Sequence, residues 1–322
     1  MGRPFKQLQG SEPMLLRAGT GTSRLSLVQT DLVCERLRQA NPDLKIERKI
    51  ISSNQGDQNK LNSFLRKNGI VKKEILNAVQ DGRIDFAVLS MRNVTILEDD
   101  LNLVIAALPE RGSPADVLVS NGDLGLRELE PGSIVGTSSL IRICQLKRVR
   151  PDLRPEPIRG SLEARIRKTD SGAFDAVILA EAGLARLGIT GRIAERLLLE
   201  DFIPAPGQGI IATVARKDNQ GTLDLLRRLD HFPTRTEAEA EQELARMLKK
   251  ECRVPVGAIA SVGGDRIQLT ARILSADGKE SLRVTGSGSI RDPMGLATKV
   301  AGELVARGAK GLEGGWRDLY VG

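Results

Sequence analysis

A short phrase that occurs twice constrains the fold of this chain more than any other feature: Gly21-Thr22-Ser23-Arg24-Leu25 and Gly136-Thr137-Ser138-Ser139-Leu140. Each copy leads into a stretch of helical spacing and then into Pro-Asp-Leu, at Pro42-Asp43-Leu44 and Pro151-Asp152-Leu153. Each half then carries an apolar strand of one form, Ile84-Asp85-Phe86-Ala87-Val88-Leu89 and Phe174-Asp175-Ala176-Val177-Ile178-Leu179. The separation between copies shrinks along the chain, as loops trimmed in one of two related units would make it. A Gly-Thr-Ser turn between strand and helix leaves backbone N–H groups and hydroxyls able to hold an anion. The repeat therefore implies two similar α/β lobes, each with an anion-holding turn, facing a common cleft. A plain tight turn is the alternative reading of either copy.

The order of segments follows the same logic. Leu15 to Ala18 reads as a strand, Leu25 to Arg38 as a helix and Leu44 to Ser52 as a strand. Lys72 to Val79 reads as a helix before the Asp85 strand, and Leu103 to Leu108 as a strand entering a crossover at Pro109 to Pro114. The second lobe repeats this with strands at Ser133 to Val135, Pro157-Ile158 and Ala176 to Ala180, and helices at Leu140 to Arg148 and Leu162 to Lys168. Ile210 to Ala215, behind the break at Pro204-Ala205-Pro206-Gly207-Gln208-Gly209, is expected to return to the first sheet. Such alternation favours open α/β sheets that bind ligands at their strand ends. A third unit begins near Thr234, where Thr234-Arg235-Thr236-Glu237 has capping-box form. It continues as a helix to Lys249, strands at Ile267 to Leu274 and Ser281 to Ser287 around Asp277-Gly278, and a helix from Met294 to Arg307. The expected partition is 1–108 with 210–231, then 109–209, then a small α+β domain over 232–322.

Composition narrows the chemistry. The 322 residues carry a net charge of +7, which invites a nucleic-acid reading, but aromatics make up 2%, too few for base stacking. Arginine serving a small carboxylated ligand fits the scattered basic residues better, with neither nucleic acid nor a membrane as partner. Cys34, Cys144 and Cys252 have no metal-ligand spacing, and the single histidine, His231, reads as a loop residue, so no metal is expected. Met1 to Pro13 lacks the apolar core of a signal peptide, and a cytoplasmic protein is expected. Gly19-Thr20-Gly21-Thr22-Ser23-Arg24 has Arg where a dinucleotide fingerprint needs Gly, and no Gly-Lys-Ser/Thr follows.

Three arginines, Arg142, Arg159 and Arg165, follow strand ends in the second lobe and would suit a ligand bearing several carboxylates. Solvated surface positions are the alternative. Cys252, in Glu251-Cys252-Arg253-Val254-Pro255-Val256-Gly257, reads either as a buried structural thiol or as a reactive one with a pKa lowered by basic neighbours.

Together these residues resemble the porphobilinogen deaminase (hydroxymethylbilane synthase) family from about Leu15 to Leu312. The matching phrases are Gly136-Thr-Ser-Ser-Leu with Arg142, Cys144-Gln145-Leu146, Arg150-Pro151-Asp152-Leu153, Arg159-Gly160 and Asp175-Ala-Val-Ile-Leu-Ala180. They continue with Ala182-Gly183-Leu184, Arg186-Leu187-Gly188, Pro204-Ala205, Gly207-Gln208-Gly209 and Cys252-Arg253-Val254-Pro255-Val256-Gly257. The resemblance implies two lobes like those of periplasmic binding proteins, with open mixed sheets and two crossover strands, plus an α+β C-terminal domain. It implies a monomer with a dipyrromethane cofactor held by a thioether on Cys252. Porphobilinogen units would be added to it in turn, each losing ammonia, until a linear tetrapyrrole is released by hydrolysis. It also implies Ser138, Ser139, Arg142, Arg159 and Arg165 as cofactor-binding residues and Ser23, Arg92 and Arg111 as substrate-binding residues.

The chain departs from the family pattern where the family places its catalytic aspartate: Ser90-Met91-Arg92-Asn93 stands for Ser-Met-Lys-Asp. Asn93 has no negative charge to set against a cationic intermediate and takes up no proton; loss of general acid–base help alone costs roughly 10²–10⁴-fold in rate. Family basic residues are also replaced at Gly21, Phe64, Asn68, Ile141 and Ala115. Two functions therefore remain open: a divergent deaminase of tetrapyrrole synthesis, favoured by Cys252, or a paralogue that binds a pyrrole, tetrapyrrole or other carboxylated ligand without turnover, favoured by Asn93. Action on a different carboxylated substrate is a third reading.

Overall fold

The computed structural model describes residues 15–52, 73–94, 102–252 and 254–316. Phe64, Asn68, Lys72, Arg253 and the segment Met1 to Pro13 lie outside the described residues. In chain order the elements are β1 (Leu15–Thr20), α1 (Arg24–Ala40), β2 (Lys45–Ile50), α2 (helical over 73–80), β3 (Phe86–Ser90), β4 (Leu103–Ala107) and β5 (Asp116–Ser120). They continue with β6 (Ile134–Gly136), α3 (Leu140–Val149), β7 (Arg154–Glu156), α4 (Leu162–Asp170), β8 (Ala176–Ala180), α5 (Glu181–Leu187), β9 (Glu195–Arg196), β10 (Ile211–Arg216) and α6 (Gln220–Arg227). The C-terminal part adds α7 (Phe232–Glu251), β11 (Val256–Gly263), β12 (Arg266–Leu274), β13 (Ser281–Ser289) and α8 (Pro293–Ala306).

Two compact units result. The first lies within the spans Met1–Leu89, Leu97–Ala107 and Thr213–Leu229. Its sheet has the order β2-β1-β3-β10-β4, with β1 parallel to β2 and β3, and β10 antiparallel to β4. The apolar run of β3 is buried, as expected for a strand covered on both faces. On α1 the buried positions Thr30, Val33, Cys34 and Leu37 recur at helical spacing and form the stripe that faces the core. The return of the Ile210 segment to the first sheet is as the sequence suggested.

The second unit lies within Ser90–Ile96, Leu108–Ala212 and Asp230–Gly322. Its five-stranded sheet has the order β7-β6-β8-β5-β9. Here β6 is parallel to β7 and β8, and β5 is antiparallel to β8 and β9. The repeat in the sequence is thus a repeat in topology. Each sheet has a second strand with parallel partners on both sides, and takes its fourth strand from outside its own βαβ run. The fold is mixed α/β, with two open mixed sheets and a C-terminal antiparallel sheet, β11-β12-β13, packed with α7 and α8. Leu244, Leu248, Ile267, Leu269, Ile273 and Val300 lie in the core of that last part.

The sequence reading is corrected at three points. The strand expected at Pro157-Ile158 lies at Arg154–Glu156, in parallel register with Ile134–Gly136, because the Ile158 N–H and carbonyl are taken by the Ser138 hydroxyl instead of a ladder. The capping box at Thr234 does not start a helix. Helix α7 begins at Phe232 with Pro233 in its first turn, where a missing N–H breaks no helical bond. Thr234 Oγ1 instead accepts from the Arg111 N–H at 3.0 Å, and Glu237 turns to Arg111 and the Val262 N–H. His231 lies outside regular structure, as the sequence suggested, and flanks α7 as its N-cap residue. Strands β5 and β11 were not anticipated at all. No helix among the described residues is long and apolar enough to cross a membrane.

Candidate functional site

The second Gly-Thr-Ser turn joins β6 to α3. Its backbone is fixed on the strand side by the Thr137 N–H to Glu156 O bond (2.9 Å). The Ser138 hydroxyl donates to Ile158 O at 2.8 Å and accepts from Ile158 N at 3.2 Å, so it braces the turn against the chain leaving β7. Ser139 is the N-cap residue of α3, yet its side chain makes no cap bond and the first turn holds no acidic residue. The N-terminal N–H groups of this helix are therefore not neutralised by its own side chains.

Ser138 and Ser139 line a cavity of about 880 Å³ together with Ala205, Leu248, Lys249 and Cys252. Cys252 sits at the C-terminal end of α7, its N–H bonded to Leu248 O at 2.7 Å. The residue is 1% exposed. Burial raises the thiol pKa, only partly offset by a hydrogen bond from the Val254 backbone. The expectation of a pKa lowered by basic neighbours is thereby overturned: desolvation outweighs them. The thiol faces the cavity as a neutral nucleophile precursor, and no Asp or Glu is among the residues around that cavity.

A second group of side chains centres on a residue that sequence reasoning passed over. Gln208 is 1% exposed. Its Nε2 donates to Asp116 Oδ1 (2.6 Å) and Pro114 O (2.7 Å). Its Oε1 accepts from Arg92 (3.1 Å) and Arg142 (3.2 Å). Only an amide can do both, since one end must donate to an anion while the other accepts from cations. The flanking glycines hold it there. Gly207 and Gly209 have φ of 75° and 86°, and a Cβ on Gly209 would stand 2.4 Å from Gly112 O. The two glycines around Gln208 were visible in the sequence as a break between segments; the buried amide they position was the missed signal.

Arg142 was expected to face a ligand. Instead its guanidinium is buried, with Nε and Nη2 on the two oxygens of Asp116 at 3.0 and 2.7 Å and Nη1 on Ile178 O at 3.0 Å. Asp116, at the start of β5, is the partner that the sequence did not reveal. Arg111 is bound to Glu241 through Nη1 (2.7 Å) and Nη2 (3.2 Å) and to Gln208 O through Nε (2.9 Å). Both arginines are held by carboxylates of the protein itself.

Arg92 lies in the 3-10 turn Met91–Asn93, which also contains Asn93. Although Arg92 keeps contact with solvent, desolvation of its head, followed by the charge of Arg142, lowers its pKa to about 10. It remains a cation at neutral pH. Arg165, in α4, donates through Nε to Gly160 O at 3.0 Å, and its pKa is lowered by burial and then by Arg142. Arg159 is exposed beside Gly160. The structure thus gathers Ser138, Ser139 and Cys252 around one cavity, and Arg92, Arg142 and Arg165 into one electrostatically coupled group. Ser23 belongs to the first unit, where it caps α1 by accepting from Ser26 N at 3.1 Å.

Residues 16–224 match the family model described as porphobilinogen deaminase, dipyromethane cofactor binding domain, and residues 235–306 match the porphobilinogen deaminase C-terminal domain. A probable porphobilinogen deaminase of Nitrosopumilus maritimus (strain SCM1) is 40% identical over 301 residues, covering 93% of this chain and 96% of the relative. The porphobilinogen deaminase of Desulforudis audaxviator (strain MP104C) is 42% identical over 295 residues, covering 90% of this chain and 94% of the relative. Among solved structures, the periplasmic aliphatic sulphonate binding protein SsuA from Escherichia coli is similar with a TM-score of 0.40 and 16% identity, over 74% of this chain and 72% of that one.

Proposed function

Because the chain belongs to the porphobilinogen deaminase family, we propose that it condenses porphobilinogen into hydroxymethylbilane on a dipyrromethane held by Cys252. The observation that carries this reading is the placement of Cys252 on one cavity wall with Ser138 and Ser139. The residues present fit the group: the cavity is roomy, lacks acidic side chains and presents a thiol able to form a thioether. When bound, the dipyrromethane supplies the pyrrole carbon on which the chain of product is extended.

The protein's own residues divide the work. Cys252 would hold the group through a thioether, the carbon–sulfur bond replacing the carbon–nitrogen bond of porphobilinogen or the carbon–oxygen bond of hydroxymethylbilane, with the thiol proton leaving in the ammonia or water released. The Ser139 hydroxyl, the backbone of Ser138 and the N-terminal N–H groups of α3 hold carboxylate oxygens at the cavity, while the Ser138 hydroxyl stays on Ile158. Arg92, Arg159 and Arg165 take the acetate and propionate groups, in the bidentate manner open to guanidinium. Arg142 and Asp116 act behind them: the buried pair and Gln208 fix the position of Arg92 without touching the ligand. Ser23 also binds substrate, besides capping α1. Asn93 occupies the place of the family's aspartate and offers an amide where proton uptake and negative charge are needed, so turnover is slow. This reading divides the chain into 1–108 with 210–231, 109–209 and 232–322, and describes a cytoplasmic monomer.

The test is intact-protein mass spectrometry after incubation with porphobilinogen or preformed hydroxymethylbilane. A dipyrromethane-sized adduct is expected, absent in Cys252→Ser; a bare polypeptide mass under both treatments sinks the proposal. Asn93 favours a second reading, ligand binding without turnover. Under the first reading Asn93→Asp raises the rate by roughly 10²–10⁴-fold; an adduct-bearing protein that releases no product before or after that change would establish the second.

A further inference from the structure

The second unit contains three arginines that are all but removed from solvent: Arg111, Arg142 and Arg272, the last 6% exposed. Burying a guanidinium is costly unless a carboxylate and a full set of acceptors replace its water. Arg111 has Glu241 and Arg142 has Asp116, each through two nitrogens. Arg272 breaks the pattern. Its Nη1 donates to the backbone oxygen of Asp201 at 3.0 Å, and its buried Nε has no hydrogen-bond partner among the described residues.

The surroundings worsen the imbalance. On β12, the core side is taken by Ile267, Leu269, Ala271 and Ile273, so Arg272 points to the opposite face with Thr270. Its register partner on β13 is Arg283, which shares that face. Like charges directly opposite each other are destabilising in a sheet. Arg148, in the last turn of α3, adds a third positive charge close enough to repel Arg272, while the nearby Asp201 opposes it. Arg148 and Arg283 are both exposed. Three cations against one carboxylate leave an excess that a dianion would balance, and the unpartnered Nε of Arg272 is the donor that an oxyanion oxygen would satisfy.

We propose that Arg148, Arg272 and Arg283 form a seat for a phosphate-type dianion, where β12 and β13 meet α3 and the chain at Asp201. Arg272 is the fixed donor beneath, and the two exposed arginines close over the ion. The seat lies on different residues from the Cys252 cavity and does not depend on the function proposed above. A bound dianion would tie the C-terminal sheet to α3, and its effect is read as stability.

The experiment is thermal unfolding of the full chain in inorganic phosphate against chloride at matched ionic strength, with ³¹P line broadening as a direct measure of binding. Wild type is expected to show a Tm that climbs with the logarithm of phosphate concentration, beyond the chloride control. Arg283→Gln, a surface change that leaves the core intact, is expected to lose at least half of that climb and most of the line broadening. Arg272→Met is expected to flatten it fully, and Arg227→Gln, an exposed arginine of the first unit, to preserve it, which separates this seat from the loss of any surface arginine. Equal responses in wild type and Arg283→Gln, or none beyond chloride, would overturn the proposal. A stronger response to malonate than to phosphate would also overturn it, in favour of a carboxylate seat.

Discussion

At Gly21-Thr22-Ser23 the serine side chain turns back on its own helix, with Ser23 Oγ accepting from Ser26 N at 3.1 Å and meeting Ser26 Oγ at 2.7 Å. At Gly136-Thr137-Ser138-Ser139 the capping residue makes no such bond, and the extra serine is braced against Ile158. The two turns connect equivalent strands to equivalent helices, so the difference lies in what the hydroxyls do. In the first copy the hydroxyl stabilises the fold; in the second the helix end is left uncapped beside a cavity with Cys252 in its wall. A duplicated phrase can thus conserve a backbone shape while one copy loses or the other gains a ligand-facing role.

The sharpest way to break this comparison is to remove what stands behind the second copy. Asp116→Asn leaves Arg142 buried with no opposing charge and should cost about 3–5 kcal/mol of stability, measured by urea unfolding. A loss no larger than that of an exposed pair such as Arg48–Asp31 would mean that solvent reaches Arg142. Next in size, Gln208→Glu places a carboxylate oxygen against Asp116 Oδ1 and Pro114 O with no donor between them, at a cost of about 1–3 kcal/mol. Urea unfolding that found Gln208→Glu as stable as wild type would refute this placement of the amide.

How much of this was legible in advance depends on the distance over which a residue's partner lies. The strand–helix order, the return of the Ile210 segment and the helix leading to Cys252 follow from local periodicity, and the structure shows them. Arg142 was read as ligand-facing because it follows a strand end, and Arg111 because the family resemblance implies a substrate-binding residue there; neither reading reveals the carboxylate each one holds. Those carboxylates come from 130 residues away for Arg111 and 26 for Arg142, beyond any spacing rule. Strand β5 went unseen because Asp116-Val117-Leu118-Val119-Ser120 follows Pro114 directly and carries the charged partner of Arg142 at its first position. The capping-box reading at Thr234 failed for a related reason: Arg111 recruits both Thr234 and Glu237 from outside the helix.

Smaller effects sharpen the contrast between the units. Cys34 in the first unit is pushed up to about 11 and Cys144 in the second to about 12, mainly by burial. Cys252 is also raised, but it faces the cavity. In protein not yet exposed to porphobilinogen or hydroxymethylbilane, iodoacetamide should therefore alkylate Cys252 first, with a rate that grows about tenfold per pH unit past the ordinary thiol range before levelling. Peptide mapping that found Cys34 or Cys144 labelled ahead of it would contradict the cavity's accessibility. Finally, Ser23→Ala should destabilise by about 1 kcal/mol through loss of a helix cap, whereas Ser139→Ala should stay within about 0.5 kcal/mol. Equal losses would erase the distinction between the two turns.

The position of β10 between β3 and β4 has a consequence for how the molecule is made. Residues Ile211–Arg216 leave the ribosome only after the whole of the second α/β sheet has been synthesised. Until then the first sheet has a gap in its middle, with β3 lacking one neighbour and β4 lacking its antiparallel partner. The second sheet is drawn from one continuous stretch and can close while its predecessor waits. The N-terminal unit, although born first, is completed later, and its exposed strand edges are the nascent chain's most vulnerable surface during that interval.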